Sequence, residues 1–586
     1  MSEEMPAVER ERQMLMDAEA QGTGAKLLTW TKLSGPGWLQ SAITLGGGSL
    51  ASSLFLGILV GYHLLWLQVF AMACGVVMLG AIGYVALSTG ERPFVLVRDK
   101  INPVLAWGWA LATLAANIVW CLPQFALAWG SISQNLAPGL VEHKKLVCGV
   151  LLVIATGVTM LYGSGGKGLR IYENGLRILV GLIVLSFFGV VGKLVLSGGV
   201  SFGDVLAGFI PNLNMFNNPA PDAAKAIAAT GDSAAWWTNL VVNKQRDVMV
   251  SAAATAVGIN MTFLFPYSLL KKKWDRHFRG LSIFDLATGM AIPFIVATGC
   301  VVVAAGASFH GKPAPQIVEN WPQNKGEIDG KLLGDFEGLL GKLAVNQDPS
   351  LKIAEDDTDA VIAEKKEKLA AAVEAMPNAD RDVAAMIANR SVFLLAGALE
   401  PLTGKFVAQY VFGFGVLAMA LSTITILMLI SGFTFCEVLG LPPEGKYQQI
   451  GALLPAVGVL GPFVWNEAAA YLAVPTSVFG MALLPIAYVT FLFCMNSHRV
   501  LGDDMPKGRS RLTWNILMGI AFLFSTIGAG WSVWSKTGWA GIVGVIIFIA
   551  LAMVFHTKHH DGESHGSTSR LPAERSGGDE SAGASA

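Results

Sequence analysis

The chain reads as an all-α polytopic membrane protein of about twelve spans, and three observations carry that reading. Hydrophobic residues make up 53% of the 586 and charged residues 14%, an apolar surplus larger than one soluble core can bury. The apolar residues fall in continuous runs, not in the short alternating segments of a transmembrane barrel. Lysine and arginine gather in alternate short loops, which is the asymmetry that orients helical membrane proteins.

The elements follow in order. Residues 1–34 are highly charged, lack the apolar core of a cleaved signal, and are expected to form a cytoplasmic N-terminal segment. Residues 35–306 hold apolar runs at 37–60, 64–88, 104–131, 145–162, 175–197, 248–270 and 283–306. Residues 307–400 are an expected extracytoplasmic insertion, with two amphipathic helices meeting near Pro377. Five more runs lie within 401–555, at 406–432, 449–465, 470–494, 513–534 and 538–555, and the polar tail 556–586 is expected to be disordered. Basic loops at Arg92–Lys100, Lys167–Arg170, Lys271–Arg279 and Arg499–Arg511 put both termini in the cytoplasm of a cell-membrane protein.

Composition and motifs exclude several functions. A balanced net charge of −1 provides no basic stripe for nucleic acid. No H-E-x-x-H, G-x-S-x-G or Walker pattern is present, so neither an enzyme nor a cofactor is expected. The six cysteines are scattered without a C-x-x-C pair and read as inert buried thiols. The expected partners are the lipid bilayer and a transported inorganic cation or small solute.

Two runs are interrupted. The first contains Gly46, Gly47 and Gly48 followed by Ser49, and the sixth contains Gly258, Ile259, Asn260 and Thr262 ahead of Pro266. Paired interruptions five spans apart point to an inverted-repeat transporter with a solute site at the bilayer midplane. Unwound backbone is tolerable there where a ligand or cavity satisfies it, although close packing of small residues explains the three glycines almost as well. The eight residues Gly46–Ser49, Gly258–Asn260 and Thr262 are therefore the candidate substrate site. Thr44, Ser52, Ser53, Asn117 and Gln124 are candidate pathway-lining residues. Leucine at Gly47 is expected to fill the cavity.

In order along the chain, "GPGWL", "GYHLLWLQV", "STGERP", "GLRIYENGLRILVGLIVLSF", "ALSTITILMLISG" and "CMNSHRVLGDDMP" resemble the Nramp family of proton-coupled divalent-metal transporters. The resemblance implies the LeuT-like fold of five-plus-five inverted repeats with helices one and six broken. It also implies a changed site. The family's Asp-Pro-Gly-Asn motif falls on Gly46–Ser49, and its Met-Pro-His motif falls on Asn260–Thr262, or with a two-residue shift puts Thr262 at the methionine. The Asp, Asn and Met ligands of the family are then absent. Any bound metal would meet Ser49, Asn260 and backbone carbonyls near Gly46 and Val257, which suit a hard or partly hydrated ion held weakly. The third span has no acidic residue, and Glu173 and Asp285 match family acids at membrane edges, so tight proton coupling is not expected. Two alternatives stay open: transport of an anionic or zwitterionic solute, and a non-transporting scaffold or sensor.

Overall fold

The computed structural model describes residues 6–163, 166–196, 198, 200–354, 356–389, 400, 404–464 and 469–555. The tail 556–586 lies outside the described residues, as does the side chain of Glu173. Every regular element among the described residues is helical.

Two helices, α1 (Ala7–Gln21) and α2 (Thr23–Leu33), precede the first span. The lead-in is docked: Arg12 pairs with Asp275 at 2.5 Å, and the Trp274 indole donates to Glu11 at 2.9 Å. The first span is split into α3 (Pro36–Thr44) and α4 (Gly47–Val60), bent by 53°. Next come α5 (Leu65–Thr89), the short α6 (Pro93–Lys100), α7 (Pro103–Gly130), α8 (Lys144–Gly163) and α9 (Gly166–Leu196). The sixth span is split into α10 (Ala234–Ala256) and α11 (Ile259–Lys271). Its first half begins fourteen residues before the expected limit of 248, because the helix runs on beyond its apolar stretch toward the insertion.

The seventh span ends in α12 (Ile292–Phe309) and leads to the insertion, which holds α13 (Gly330–Gln347), α14 (Asp359–Glu374) and α15 (Asn378–Ile387). The expected helix pair at Pro377 is α14 and α15. Beyond it lie α16 (Phe412–Val438), a ninth span built of short turns over Gly445–Val464, α17 (Ala469–Met495) and α18 (Gly508–Val554). The last is two spans. Gly538, at φ 56° and ψ −139°, breaks the helix in a region open to glycine. Asn515 meets Asn496, Lys536 meets Asp247, and the Ala552 carbonyl returns to Asn102. The chain therefore crosses and comes back within this helix.

Nine helices among the described residues are long and apolar enough to cross a bilayer, and the bent pair α3–α4 makes a tenth. The fifth position is taken by α9, and the turn at Gly538 divides the last helix. One face of the bundle gathers the basic loops: Arg92 lies near Glu437, Arg279 near Asp504, and Arg12 near Asp275. The opposite face carries the insertion. All six cysteines are buried and free.

Candidate functional site

The two breaks meet in the middle of the bundle. Leu45 (φ −84°, ψ 50°) and Gly46 (φ −98°, ψ 177°) separate α3 from α4, and Val257 (φ −143°, ψ 111°) and Gly258 (φ −84°, ψ 162°) separate α10 from α11. None of these angles requires glycine. Space does. A Cβ on Gly46 would strike Thr423, one on Gly47 would sit 2.5 Å from Leu127 Cδ2 and 2.7 Å from Gln124 Oε1, and one on Gly258 would enter the Trp120 ring. The glycines thus let the broken backbones approach the third and eighth spans, and the breaks and the close packing are one arrangement.

Between the breaks lies a cavity of about 40 Å³. That volume holds an ion with one or two waters, since about 10–15 Å³ suffices for one water centre. Of the expected site residues, Gly46, Gly48, Ser49, Gly258 and Asn260 border it, as does Gln124 from the pathway set.

The other expected residues lie elsewhere. Gly47 faces α7, so leucine there would strike Leu127 and Gln124 and would not fill the cavity. Ile259 is wholly buried in packing. Thr262 accepts from the Trp109 indole at 2.9 Å and donates to the Ile259 carbonyl. Thr44 donates to the Gln40 carbonyl at 2.9 Å, Ser52 pairs with Ser251 at 2.6 Å, and Ser53 accepts from Gln68 at 2.7 Å. Asn117 stands behind the wall: its amide donates to Ser431 at 3.0 Å and its oxygen accepts from Asn260 at 3.1 Å.

Spans three, eight and ten complete the wall with Trp120, Thr423, Thr476 and Ser477, none singled out from the sequence. A thioether is also present. Met261 borders the cavity, its sulfur 3.4 Å from the Thr44 hydroxyl oxygen, so the sixth span brings sulfur to the site at 261 instead of 260 or 262.

The polarity of the site follows from its caps. A helix N-terminus presents unpaired N–H groups and a partial positive charge. Here the Gly47 N–H, opening α4, donates to Gln124 Oε1 at 3.0 Å, and the Met261 N–H, in the first turn of α11, is shared between Asn260 Oδ1 at 2.8 Å and the Gly258 carbonyl at 3.0 Å. Each positive end thus has one N–H turned onto a side-chain oxygen. Ile43, from the carbonyl end of α3, and Ala254 and Thr255, from that of α10, border the same cavity, and those ends carry partial negative charge. Ser49 donates its hydroxyl to the Thr44 carbonyl, keeping its lone pairs free to face a cation.

Carboxylates are buried, but away from the cavity. Asp285, expected near a membrane edge, is fully buried and accepts from the Gly35 and Gly37 N–H groups at 3.0 and 2.7 Å and from the Ser34 hydroxyl, pinning α3 to the seventh span. Glu437, beyond the expected limit of span eight at 432 but still within α16, is 2% exposed and lies 3.5 Å from Arg92. No cluster of three or more His, Cys, Asp or Glu suited to a metal occurs among the described residues.

Comparison with known proteins agrees with this architecture. The chain matches the natural resistance-associated macrophage protein-like (Nramp) family over residues 37–321 and 370–535. It is similar to the divalent metal cation transporter MntH of Brucella suis biovar 1 (strain 1330), 29% identical over 199 residues, or 34% of this chain and 41% of that protein. It is also similar to the metal transporter Nramp3 of Arabidopsis thaliana, 28% identical over 184 residues, or 30% and 34% of the two chains. A third relative is the manganese transporter pdt1 of Schizosaccharomyces pombe (strain 972 / ATCC 24843), 22% identical over 289 residues, or 48% and 53%. The matches thus span between 34% and 53% of these relatives' own length. In fold the chain resembles a mutant of the Eremococcus coleocola manganese transporter, with a TM-score of 0.54 at 13% identity over 90% of this chain and 93% of that one. With the family's pattern covering most of the sequence and its paired helix breaks in place, the chain belongs to the Nramp family.

Proposed function

We propose that the protein transports an inorganic cation, a divalent ion foremost, through the cavity between the two helix breaks. The observation that carries this reading is that side-chain oxygens already face both helix N-termini at the cavity, Gln124 on the Gly47 N–H and Asn260 on the Met261 N–H. An anionic or zwitterionic solute bound at those ends would have to compete with the Gln124 and Asn260 oxygens already turned toward them. What remains to face a solute is the carbonyl ends of α3 and α10, the hydroxyls of Ser49, Thr423 and Ser477, and the Met261 sulfur.

Dehydrating a divalent ion at such depth is costly, and carboxylate ligands are the usual compensation. With neutral donors the site favours weak binding and an ion that keeps part of its water. The names of the relatives, which specify divalent metals and manganese, support the same class. The protein is placed in the cell membrane with the basic face, and with it both ends of the chain, in the cytoplasm. The insertion is then external.

Flux into proteoliposomes tests this directly, scanning Mn2+, Mg2+, Ca2+ and Zn2+ with a luminal dye and following luminal pH. Saturable uptake of at least one ion is expected, and Gly48→Leu should abolish it, because Gly48 borders the cavity and its Cβ would point toward Thr255 and Ser477, 3.2 and 3.4 Å away. No uptake of any of the four by folded protein would overturn the reading.

A further inference from the structure

The insertion does more than cover a surface. Ile387 and Asn389 of the insertion lie among α4, α10 and α17, between the site and the insertion-bearing face. Phe55 on α4 lies seven residues beyond Gly48, and Val248 on α10 lies seven residues before Thr255, about 10 Å along each helix from the cavity. There they border, with Lys244, Asp247 and Val474, a space of about 10 Å³ that Ile387 and Asn389 of the insertion also line. Such a space is at the limit for a single water.

One carboxylate organises the closure. Asp335, on α13 of the insertion, accepts the Asn389 N–H at 2.8 Å and stands 3.5 Å from the Lys244 ammonium on α10. Lys244 also donates to the Ile387 carbonyl at 3.4 Å. The pair is partly shielded, with side chains 19% and 27% exposed, and so keeps more of its attraction than a surface pair. Two further bonds tie the insertion to the same region: the Trp237 indole donates to Asp380 at 2.7 Å, and the Gln347 amide donates to Ser233 at 3.2 Å. The half-helices α4 and α10 end at hinges, the breaks at Gly46 and Gly258, and are the elements able to swing apart.

We propose that the insertion is a built-in outer gate, latched to α10 by the Lys244–Asp335 bridge and seated between α4, α10 and α17 by Ile387 and Asn389. The word "outer" rests on the orientation proposed above, but the gate itself does not depend on what is carried. Opening the site toward this face requires the bridge to break and Ile387 and Asn389 to withdraw.

The test reads access and needs no substrate. Full-length protein in proteoliposomes carries Ser477→Cys, in the site cavity, as reporter, and the impermeant reagent MTSET is added from the insertion side. Ser350→Cys on the insertion surface scores the reachable fraction, and the parent without a reporter sets the background of the buried native cysteines. Asp335→Asn keeps an acceptor for Asn389 but removes the charge, and should speed labelling at least fivefold. Lys244→Met, which leaves the Asp335–Asn389 bond intact, should do the same and carries the test should the first variant fold poorly. Lys225→Met, breaking an exposed pair with Asp222, should label like wild type. Labelling within twofold of wild type in both latch variants would overturn the proposal, as would equal acceleration by Lys225→Met.

Discussion

Alanine at Gly46 isolates the reason the first span is glycine-rich. The backbone there is extended and accepts any residue, so the penalty is steric alone. The new Cβ would sit 3.0 Å from the Ile43 carbonyl oxygen, 3.2 Å from Thr423 Cγ2 and nearer still to Thr423 Oγ1, against about 3.5–4.0 Å for a relaxed carbon contact. Thr423 has little freedom to yield, being 4% exposed with its hydroxyl bonded to the Met419 carbonyl at 2.8 Å. Overpacking of this kind costs about 1–3 kcal/mol. Thr423→Ala removes both obstructing side-chain atoms. A double-mutant cycle on unfolding in mixed micelles should therefore show Gly46→Ala destabilising by roughly 2 kcal/mol and the pair recovering at least about 1 kcal/mol relative to additivity. Additivity to within about 0.5 kcal/mol would refute the close-approach argument.

Three further outcomes are expected. Asp285→Ala strips the acceptor from two backbone N–H groups and the Ser34 hydroxyl, at about 1–3 kcal/mol for each buried group left unpaired. Hydrogen exchange over residues 34–44 should accelerate, and unchanged protection would contradict the anchoring role. Gln124→Leu uncaps α4, which should cost about 1–2 kcal/mol and weaken discrimination against anions in flux assays; unaltered stability would show the cap to be dispensable. Burial holds the His310 imidazole below its ordinary value of 6.5, outweighing the Ile58 carbonyl it contacts at 3.0 Å and the nearby Asp222. The unfolded chain then takes up that proton first as pH falls, so stability is full above 6.5 and is lost as pH drops through the lower folded value. The thermal midpoint should fall below pH 6.5 less steeply in His310→Gln than in wild type, and equal slopes would contradict the assignment.

The broad architecture was legible because it is written in long-range signals. Runs of apolar residues mark the spans, and paired glycine interruptions mark the two breaks. What the sequence concealed was direction. Asn260 and Gln124 are polar residues in apolar helices, which reads as a pathway, yet each turns an oxygen onto a neighbouring N–H group. Gly47 stands in a triplet with Gly46 and Gly48, but helical rotation of about 100° per residue turns it to α7 while Gly48 faces the cavity. Thr423 and Ser477 gave no signal, because a single small polar residue in a transmembrane helix most often bonds its own backbone, as these two do. Glu437 escaped notice just beyond an apolar run, and only tertiary packing against Arg92 reveals it as buried. The insertion's role was illegible for the same reason: Asp335 and Lys244 are 91 residues apart, and nothing local pairs them.

With Gln124 and Asn260 oxygens turned onto the two helix starts, the cavity is a site for positive charge. Solid-supported-membrane recording of proteoliposomes measures the sign of charge moved when a solute is added. A saturable displacement of positive charge on adding Mn2+ or Mg2+, absent in Gly48→Leu, is the predicted result; no displacement with either cation, together with a negative-charge signal on adding an anionic solute, would contradict it.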